Sequence, residues 1–231
     1  MKHTYLEEIK KLEEPPKIVK IFSDKEIKMI QDLYEILPER VFNKKQNVRK
    51  KAWVQKYNEE LDKIYFTKLK NVLGDFKMDS LKSSDGKDFY GLFHESFSPL
   101  TLHVDSGFDE KTIIYKQVVT PLSPIGETVI FRNRWYGKST TFTVDPEELK
   151  FRPNPGQNDR SCDHLGEKDF DKEIHEKYLK HIDIKNLKGM EIEFIFKWKI
   201  GDTMIMDRTH IHSSSSRIQN KKLGLTTFTR K

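Results

Sequence analysis

The short stretch His103-Val104-Asp105 constrains the fold more than any other, because the residues that would complete its chemistry lie far along the chain. On an extended strand side chains repeat with period 2, so His103 and Asp105 project from one face. The residues before them, Phe97-Ser98-Pro99-Leu100-Thr101-Leu102, are apolar, β-branched or strand-edge in character and predict a strand leading into the pair. One nitrogen and one oxygen on a common face make two-thirds of a facial metal site. The third ligand has two candidates, His210 and His212, in Gly201-Asp202-Thr203-Met204-Ile205-Met206-Asp207-Arg208-Thr209-His210-Ile211-His212-Ser213. A Gly-Asp turn and an apolar run there predict one strand ending in His-Ile-His. Lys222 opens the last predicted strand, Lys222-Leu223-Gly224-Leu225-Thr226-Thr227-Phe228. Strands this distant meet at one mouth in an antiparallel double-sheet jelly roll.

The ordered combination resembles the 2-oxoglutarate- and Fe(II)-dependent dioxygenases. Its pieces are His-x-Asp at 103–105, the Gly-Asp run from 201 to 212, and the basic residue at 222. Gly126-Glu127-Thr128-Val129-Ile130-Phe131 is similar to the Gly-Glu-Thr strand of the prolyl 4-hydroxylase-like branch, within a prolyl 4-hydroxylase-like and phytanoyl-type group. The resemblance covers roughly residues 88 to 230. It implies an all-β core with flanking helices (α+β), folded as a double-stranded β-helix of jelly-roll, cupin-like form. It also implies Fe(II), 2-oxoglutarate as cosubstrate and dioxygen, with 2-oxoglutarate decarboxylated to succinate and CO2 while a C–H bond is hydroxylated. Halogenating relatives lack the carboxylate ligand, so Asp105 points to hydroxylation.

Within that resemblance, His103, Asp105 and His212 are the expected metal ligands and catalytic centre. His212 is favoured over His210 because it stands eleven residues after Gly201 and is followed by a small polar residue. Lys222, ten residues past His212, is the expected partner of the distal carboxylate of 2-oxoglutarate, ahead of Lys221 and Arg230. A lysine there acts as a compact point charge rather than a bidentate fork. Tyr115 and Gln117 share a nominal face of the strand Thr112–Val119, and both are candidate contacts for the cosubstrate carboxylates.

Composition narrows the remaining classes. The 231 residues suit one domain, with residues 1–87 as helical support and 88–231 as a jelly-roll core carrying an insertion at about 145–190. Hydrophobic residues make up only 35%, but 15 Phe, 8 Tyr and 3 Trp supply the bulk of a core. A net charge of +6 is mild and scattered, so nucleic acid is not an expected partner. The basic stretch Lys44–Lys51 reads as a solvated loop. A single cysteine, Cys162, excludes an internal disulfide framework and fits a reducing compartment. The first residues are acidic where a signal peptide would be apolar, and no apolar run is long enough to span a bilayer. The expected location is cytoplasmic, without membrane association. The oligomeric state is not legible.

Local signals place the supporting elements. Ile18–Phe22 predicts a short strand. Ser23-Asp24-Lys25-Glu26 is a capping-box pattern opening a helix that Pro38 ends. Apolar spacing predicts a second helix over about 58–73, closed by Gly74. Both helices should buttress one sheet. Ser83–Gly86 reads as a turn, and Phe151–Arg160 as a loop. Residues 167–182 have helical character, inside an insertion of a length that commonly forms a lid or binding loop. Its Cys162, His164, His175 and His181 lack a zinc-ligand spacing and read as ordinary surface residues. The Gly-Glu-Thr strand and the late lysine imply a substrate that is a prolyl or other peptidyl residue or a free amino acid. The cations and aromatics of Arg132–Lys138 equally suit an acidic small molecule or a nucleotide base. Two other classes stay open: a jelly-roll binding module without catalysis, and a cupin-like metalloenzyme that uses no keto acid.

Overall fold

Side chains alternate along the closing strand β14 (Lys222–Arg230), and this alternation sorts the molecule into layers. The computed structural model describes residues 4–39, 41–43, 47–54, 57–79, 89–105, 112–149, 159–218 and 221–231. Leu223 and Leu225 face outward and join Ile30, Leu33, Trp53, Leu61, Tyr65 and Phe93 in an apolar cluster. Lys222 and Gly224 face inward, against Trp198. A side chain at Gly224 would run into the Trp198 ring at 2.5 Å, so this close approach requires glycine.

The larger sheet runs in the order β1 (Lys17–Val19), β12 (Thr203–Asp207), β7 (Ile114–Pro121), β14, β5 (Phe89–Ser96), β3 (Val48–Val54) and β2 (Val41–Asn43), with β4 (Lys77–Met78) also paired to β14. The smaller sheet runs β10 (Asp159–Ser161), β9 (Thr140–Phe142), β6 (His103–Val104), β13 (His210–Ser214), β8 (Glu127–Arg134) and β11 (Ile192–Lys197). The described pairs are antiparallel, except that β9 and β10 are parallel. This is the expected sandwich of two sheets, and Val119, Ile130, Phe196, Met204 and Met206 fill its interior.

Of the helices, α1 (Thr4–Lys11) leads the chain, and α2 (Asp24–Ile36) and α3 (Glu59–Leu73) cover the outer face of the larger sheet. The capping box at Ser23 and Glu26 forms as the sequence predicts, satisfying two amides at the start of α2. Asn58 caps α3, and Gly74 closes it with φ of +69°. Tyr65 of α3 stacks on Phe22 and hydrogen-bonds Thr227 of β14 at 2.8 Å, locking helix to sheet. Each Leu or Phe fully buried in this layer contributes roughly 1.5–3 kcal/mol.

Four expectations are corrected. The strand predicted over Ile18–Phe22 ends at Val19, because Ile21 and Phe22 leave the sheet to bury under the helices. Val48–Lys51 is not loop but part of β3, a strand held between two neighbours; residues 44–46 lie outside the described residues, as does the turn at 83–86. The run from Gly201 to Ser213 is two strands rather than one, and it crosses from the larger sheet to the smaller between Asp207 and His210. Finally, the insertion is no lid among its described residues. Phe170, Tyr178, Leu179, Ile182, Leu187 and Met190 pack with Leu102, Val104, Val129, Phe131 and Ile211 on the outer face of the smaller sheet. Its helical character is confined to one α turn, α4 (Lys172–Ile174), and a wider turn over His175–Leu179. Residues 151–158 of the predicted loop lie outside the described residues.

The crossing at Asp207 is held by charge. Asp207 pairs with Lys116 of β7 and, at 2.6 Å, with Arg134 of β8, and it accepts the Glu14 amide at 2.8 Å. Tyr136 donates to Glu13 at 2.7 Å and Arg134 lies 3.8 Å from the same carboxylate, so these two residues of the charged and aromatic stretch at 132–138 are engaged with the N-terminal segment. Asp207→Ala would leave the buried Lys116, which is 2% exposed, with only the largely solvated Glu14 carboxylate at 3.4 Å as counter-charge. The expected cost is about 3–5 kcal/mol in urea unfolding. Arg132→Ala, at an exposed site, should fall within about 0.5 kcal/mol of wild type.

Candidate metal centre

Register brings the expected ligands together. His212 of β13 lies directly opposite His103 of β6, so the two rings share a face, with centroids 4.4 Å apart. Asp105 follows two residues after His103 on that face, while Val104 between them is buried in the outer cluster. One ligand atom from each of His103, Asp105 and His212 lies within 4.8 Å of the others. His103 Nε2 is 3.6 Å from Asp105 Oδ1, and His212 Nε2 is 3.3 Å from Asp105 Oδ2.

The donor set fits a divalent metal. His103 Nδ1 lies 2.6 Å from the Thr101 carbonyl oxygen, and His212 Nδ1 lies 3.0 Å from that of His210. A proton held on each Nδ1 leaves both Nε2 lone pairs aimed at the carboxylate. Donors bound at about 2.1 Å around one ion at right angles would sit about 3 Å apart, close to the spacing seen. Burial, aided by the neighbouring His212, pulls His103 down to about 4 and keeps it neutral near pH 7. Burial alone would raise Asp105, but in the absence of a metal the hydrogen bond from His212 and the electrostatic influence of the neighbouring imidazoles outweigh it and hold the carboxyl well below its usual range. Gln117 donates Nε2–H to Asp105 Oδ2 at 2.6 Å and so fixes the carboxylate's orientation.

His210 is not part of this set. It is fully buried and pairs through Nε2 with Glu193 of β11 at 2.9 Å, one strand step away and level with Arg134. Tyr115 is not brought to the centre either. Its hydroxyl donates to the Leu73 carbonyl at 3.2 Å and its ring packs toward the helices, near a register shift that breaks simple alternation at this end of β14. Gln117 does reach the centre, as a partner of Asp105.

Lys222 lies inside the sandwich and Lys221 outside, ion-paired to Glu95 at 3.0 Å. The Lys222 ammonium sits 4.0 Å over the Trp198 ring, 2.9 Å from the Glu127 carbonyl and 3.4 Å from Thr128 Oγ1. Among the described residues it has no carboxylate within ion-pair distance. Burial lowers it to about 7, against the raising influence of Glu127. Thr128 is paired with Ser214, two residues along β13 from His212, a step of about 7 Å. Trp198 is the residue of this wall that sequence reasoning missed; an aromatic just before the Gly201-Asp202 turn is its one signal. The histidines of the insertion are structural: His164 and His175 bond the carbonyls of Asn186 and Ile182, and His181 that of Leu100.

The fold and the cluster together define a double-stranded β-helix that carries a two-histidine, one-carboxylate centre. No family model matches the sequence, and no curated protein matches it. Solved structures do match. SnoK, a non-heme alpha ketoglutarate dependent carbocyclase from nogalamycin biosynthesis, superposes with a TM-score of 0.54 at 8% identity, over 95% of this chain and 81% of its own. The epimerase SnoN, in complex with Fe3+, alpha ketoglutarate and nogalamycin RO, gives 0.52 at 9% identity, over 98% and 84%. A Pseudomonas putida prolyl-4-hydroxylase aligns over 100% of this chain and 99% of its own at 10% identity, with a TM-score of 0.47 that adds nothing to the fold assignment. The likeness is one of fold: the chain has the two-sheet architecture of SnoK and SnoN.

The two late histidines should separate cleanly. In equilibrium dialysis with Fe(II) under argon, His212→Ala, His103→Ala and Asp105→Ala should each lose stoichiometric metal binding. His210→Ala should keep it while losing about 1–3 kcal/mol of stability, because Glu193 is left without its partner. Metal retained by His212→Ala and lost by His210→Ala would move the centre.

Proposed function

We propose that the chain is an Fe(II)- and 2-oxoglutarate-dependent dioxygenase that hydroxylates a C–H bond. The observation that carries this reading is Lys222: a buried ammonium with no anionic partner among the described residues, facing the same interior as the three converging ligands. An unpaired buried charge costs several kcal/mol, and a carboxylate ligand would remove that cost. The step along β13 from His212 to the level of Lys222 matches the reach of a five-carbon dicarboxylate. The fold shared with SnoK and SnoN supports the same reading.

In this reading His103, Asp105 and His212 hold Fe(II), and Lys222 with Thr128 holds the distal carboxylate of 2-oxoglutarate. Iron with its keto acid and O2 supplies the oxidising chemistry, yielding succinate and CO2. The protein's share is placement and exclusion of water. Gln117 keeps Asp105 aimed, Trp198 closes the wall over the lysine, and the Nδ1 hydrogen bonds keep both imidazoles turned inward. The substrate class is a free amino acid or a peptidyl residue such as proline. Among the described residues no helix is long and apolar enough to cross a membrane. The free Cys162 supports a cytoplasmic location.

Anaerobic titration of the Fe(II) protein with 2-oxoglutarate should develop a weak visible metal-to-ligand band. Lys222→Ala should weaken the cosubstrate by about 30-fold or more, the low end of what truncating one member of a buried charge pair costs. Iron affinity should change little, and Lys221→Ala should be silent. The pH dependence has a definite sign. The ligand needs the ammonium form, and the free lysine titrates near 7, so apparent affinity should fall as pH rises from 7 to 9. In Lys222→Arg it should stay flat, since a guanidinium does not titrate there. A Lys222→Ala protein with unchanged keto-acid affinity would favour a cupin-like enzyme without this cosubstrate.

A further inference from the structure

Two polar side chains of the larger sheet have no use in the account so far. Lys50 of β3 is in register with His94 of β5, which is in turn in register with Gly224 of β14. Directly opposed residues on antiparallel strands project from one face, and at Gly224 that face meets Trp198 across the gap between the sheets. The sequence neighbours fix the same sense. Lys51 donates to the Tyr34 carbonyl and Phe93 packs on the Tyr34 ring, both on the helix side. Lys50 and His94 therefore point inward.

Both are electrostatically close to the metal centre. Asp105 is the carboxylate whose charge acts on Lys50, and His94 feels Lys50, Asp105 and His103. Asp105 is already committed, since Oδ2 accepts from Gln117 and faces His212 while Oδ1 faces His103. Among the described residues Lys50 makes no ion pair or hydrogen bond. His94 Nε2 is shut off from solvent and has no hydrogen-bond partner among the described residues. A half-buried ammonium without a counter-charge and an unsatisfied imidazole nitrogen are both unfavourable unless a ligand completes them. Burial also holds His94 neutral, down to about 3, so the pair carries at most one positive charge.

We propose that Lys50 and His94 form the subsite for a carboxylate of the substrate itself, beside the metal centre and distinct from Lys222. This rests on the reading of the centre as an iron–keto acid site and narrows its substrate. One ammonium and one neutral N–H match a monoanion with two acceptor oxygens, whereas a phosphate dianion would leave net negative charge in the interior. A small molecule with a free carboxylate, such as a free amino acid, is then preferred over an internal residue of a peptide.

The test is NMR of the histidine side chains in the 15N-histidine-labelled full chain, loaded with Zn(II) and 2-oxoglutarate, with acetate as the probe and acetamide as its neutral control. Acetate should shift the His94 ring resonances saturably, and acetamide should not. Lys50→Met should weaken the acetate response at least tenfold, and Lys50→Arg should recover part of it. The subsite is overturned by no saturable shift in wild type, by an equal response to acetamide, or by an undiminished response in Lys50→Met. It is also overturned if Lys222→Met removes the response while Lys50→Met retains it, since the anion then sits in the site already described. The iron–keto acid band is recorded on the same wild-type preparation. A missing band overturns the function reading, and the substrate assignment with it. A normal band with no acetate response overturns the subsite alone.

Discussion

The arrangement depends on the register between two short strands, β6 and β13. Because side chains repeat with period 2, a slip of one residue would turn His103 outward and bring Val104 in. The register is held from outside by the apolar layer in which Val104 and Ile211 meet the insertion, and from beyond the strand end by the Asp207 ion pairs. The described part of the insertion therefore supports the candidate metal centre from the far side of the sheet. Packing at one face fixes chemistry at the other.

The interior of the sandwich carries a second constraint, an excess of polar groups that the protein does not satisfy by itself. Among the described residues, Lys222 and Lys50 lie on the inner face of the larger sheet without carboxylate partners, and His94 Nε2 is without a hydrogen-bond partner. Apolar residues at these positions would make a more stable sandwich, since replacing buried charge with packed hydrophobes is often stabilising. Outward-facing charges behave differently. Arg49 and Lys221 are both neutralised by Glu95 on the helix side, in a surface cleft that shares no residue with the metal centre. Unmatched positive charge is thus concentrated where anionic ligands would bind, which is the pattern expected of a preorganised site.

Much of this was legible in the sequence, for identifiable reasons. The caps at Ser23 and Gly74 and the apolar spacing of 58–73 act locally, so α2 and α3 were readable without knowledge of the fold. His103, Asp105, His212 and Lys222 stood out because their order and spacing are specific in combination. What could not be read depends on contacts between distant segments. The break at Asp207 that sends β13 to the other sheet is set by Lys116 and Arg134, and nothing in the alternation of 201–213 announces it. Lys50 was hidden in a run of cations, where composition masks the alternation that places Lys50 inside and Lys51 outside. Tyr115 departed from its nominal face because the strand loses regular register at its end.

The central claim is that the inner faces of the two sheets hold both a metal and a keto acid, and a crystal structure of the chain with Mn(II) and 2-oxoglutarate, grown without oxygen, tests it most directly. The account predicts the ion on His103 Nε2, His212 Nε2 and the Asp105 carboxylate, with the distal carboxylate of the keto acid on Lys222 Nζ. An ion bound elsewhere, or a keto acid whose distal carboxylate lies away from Lys222, would contradict it.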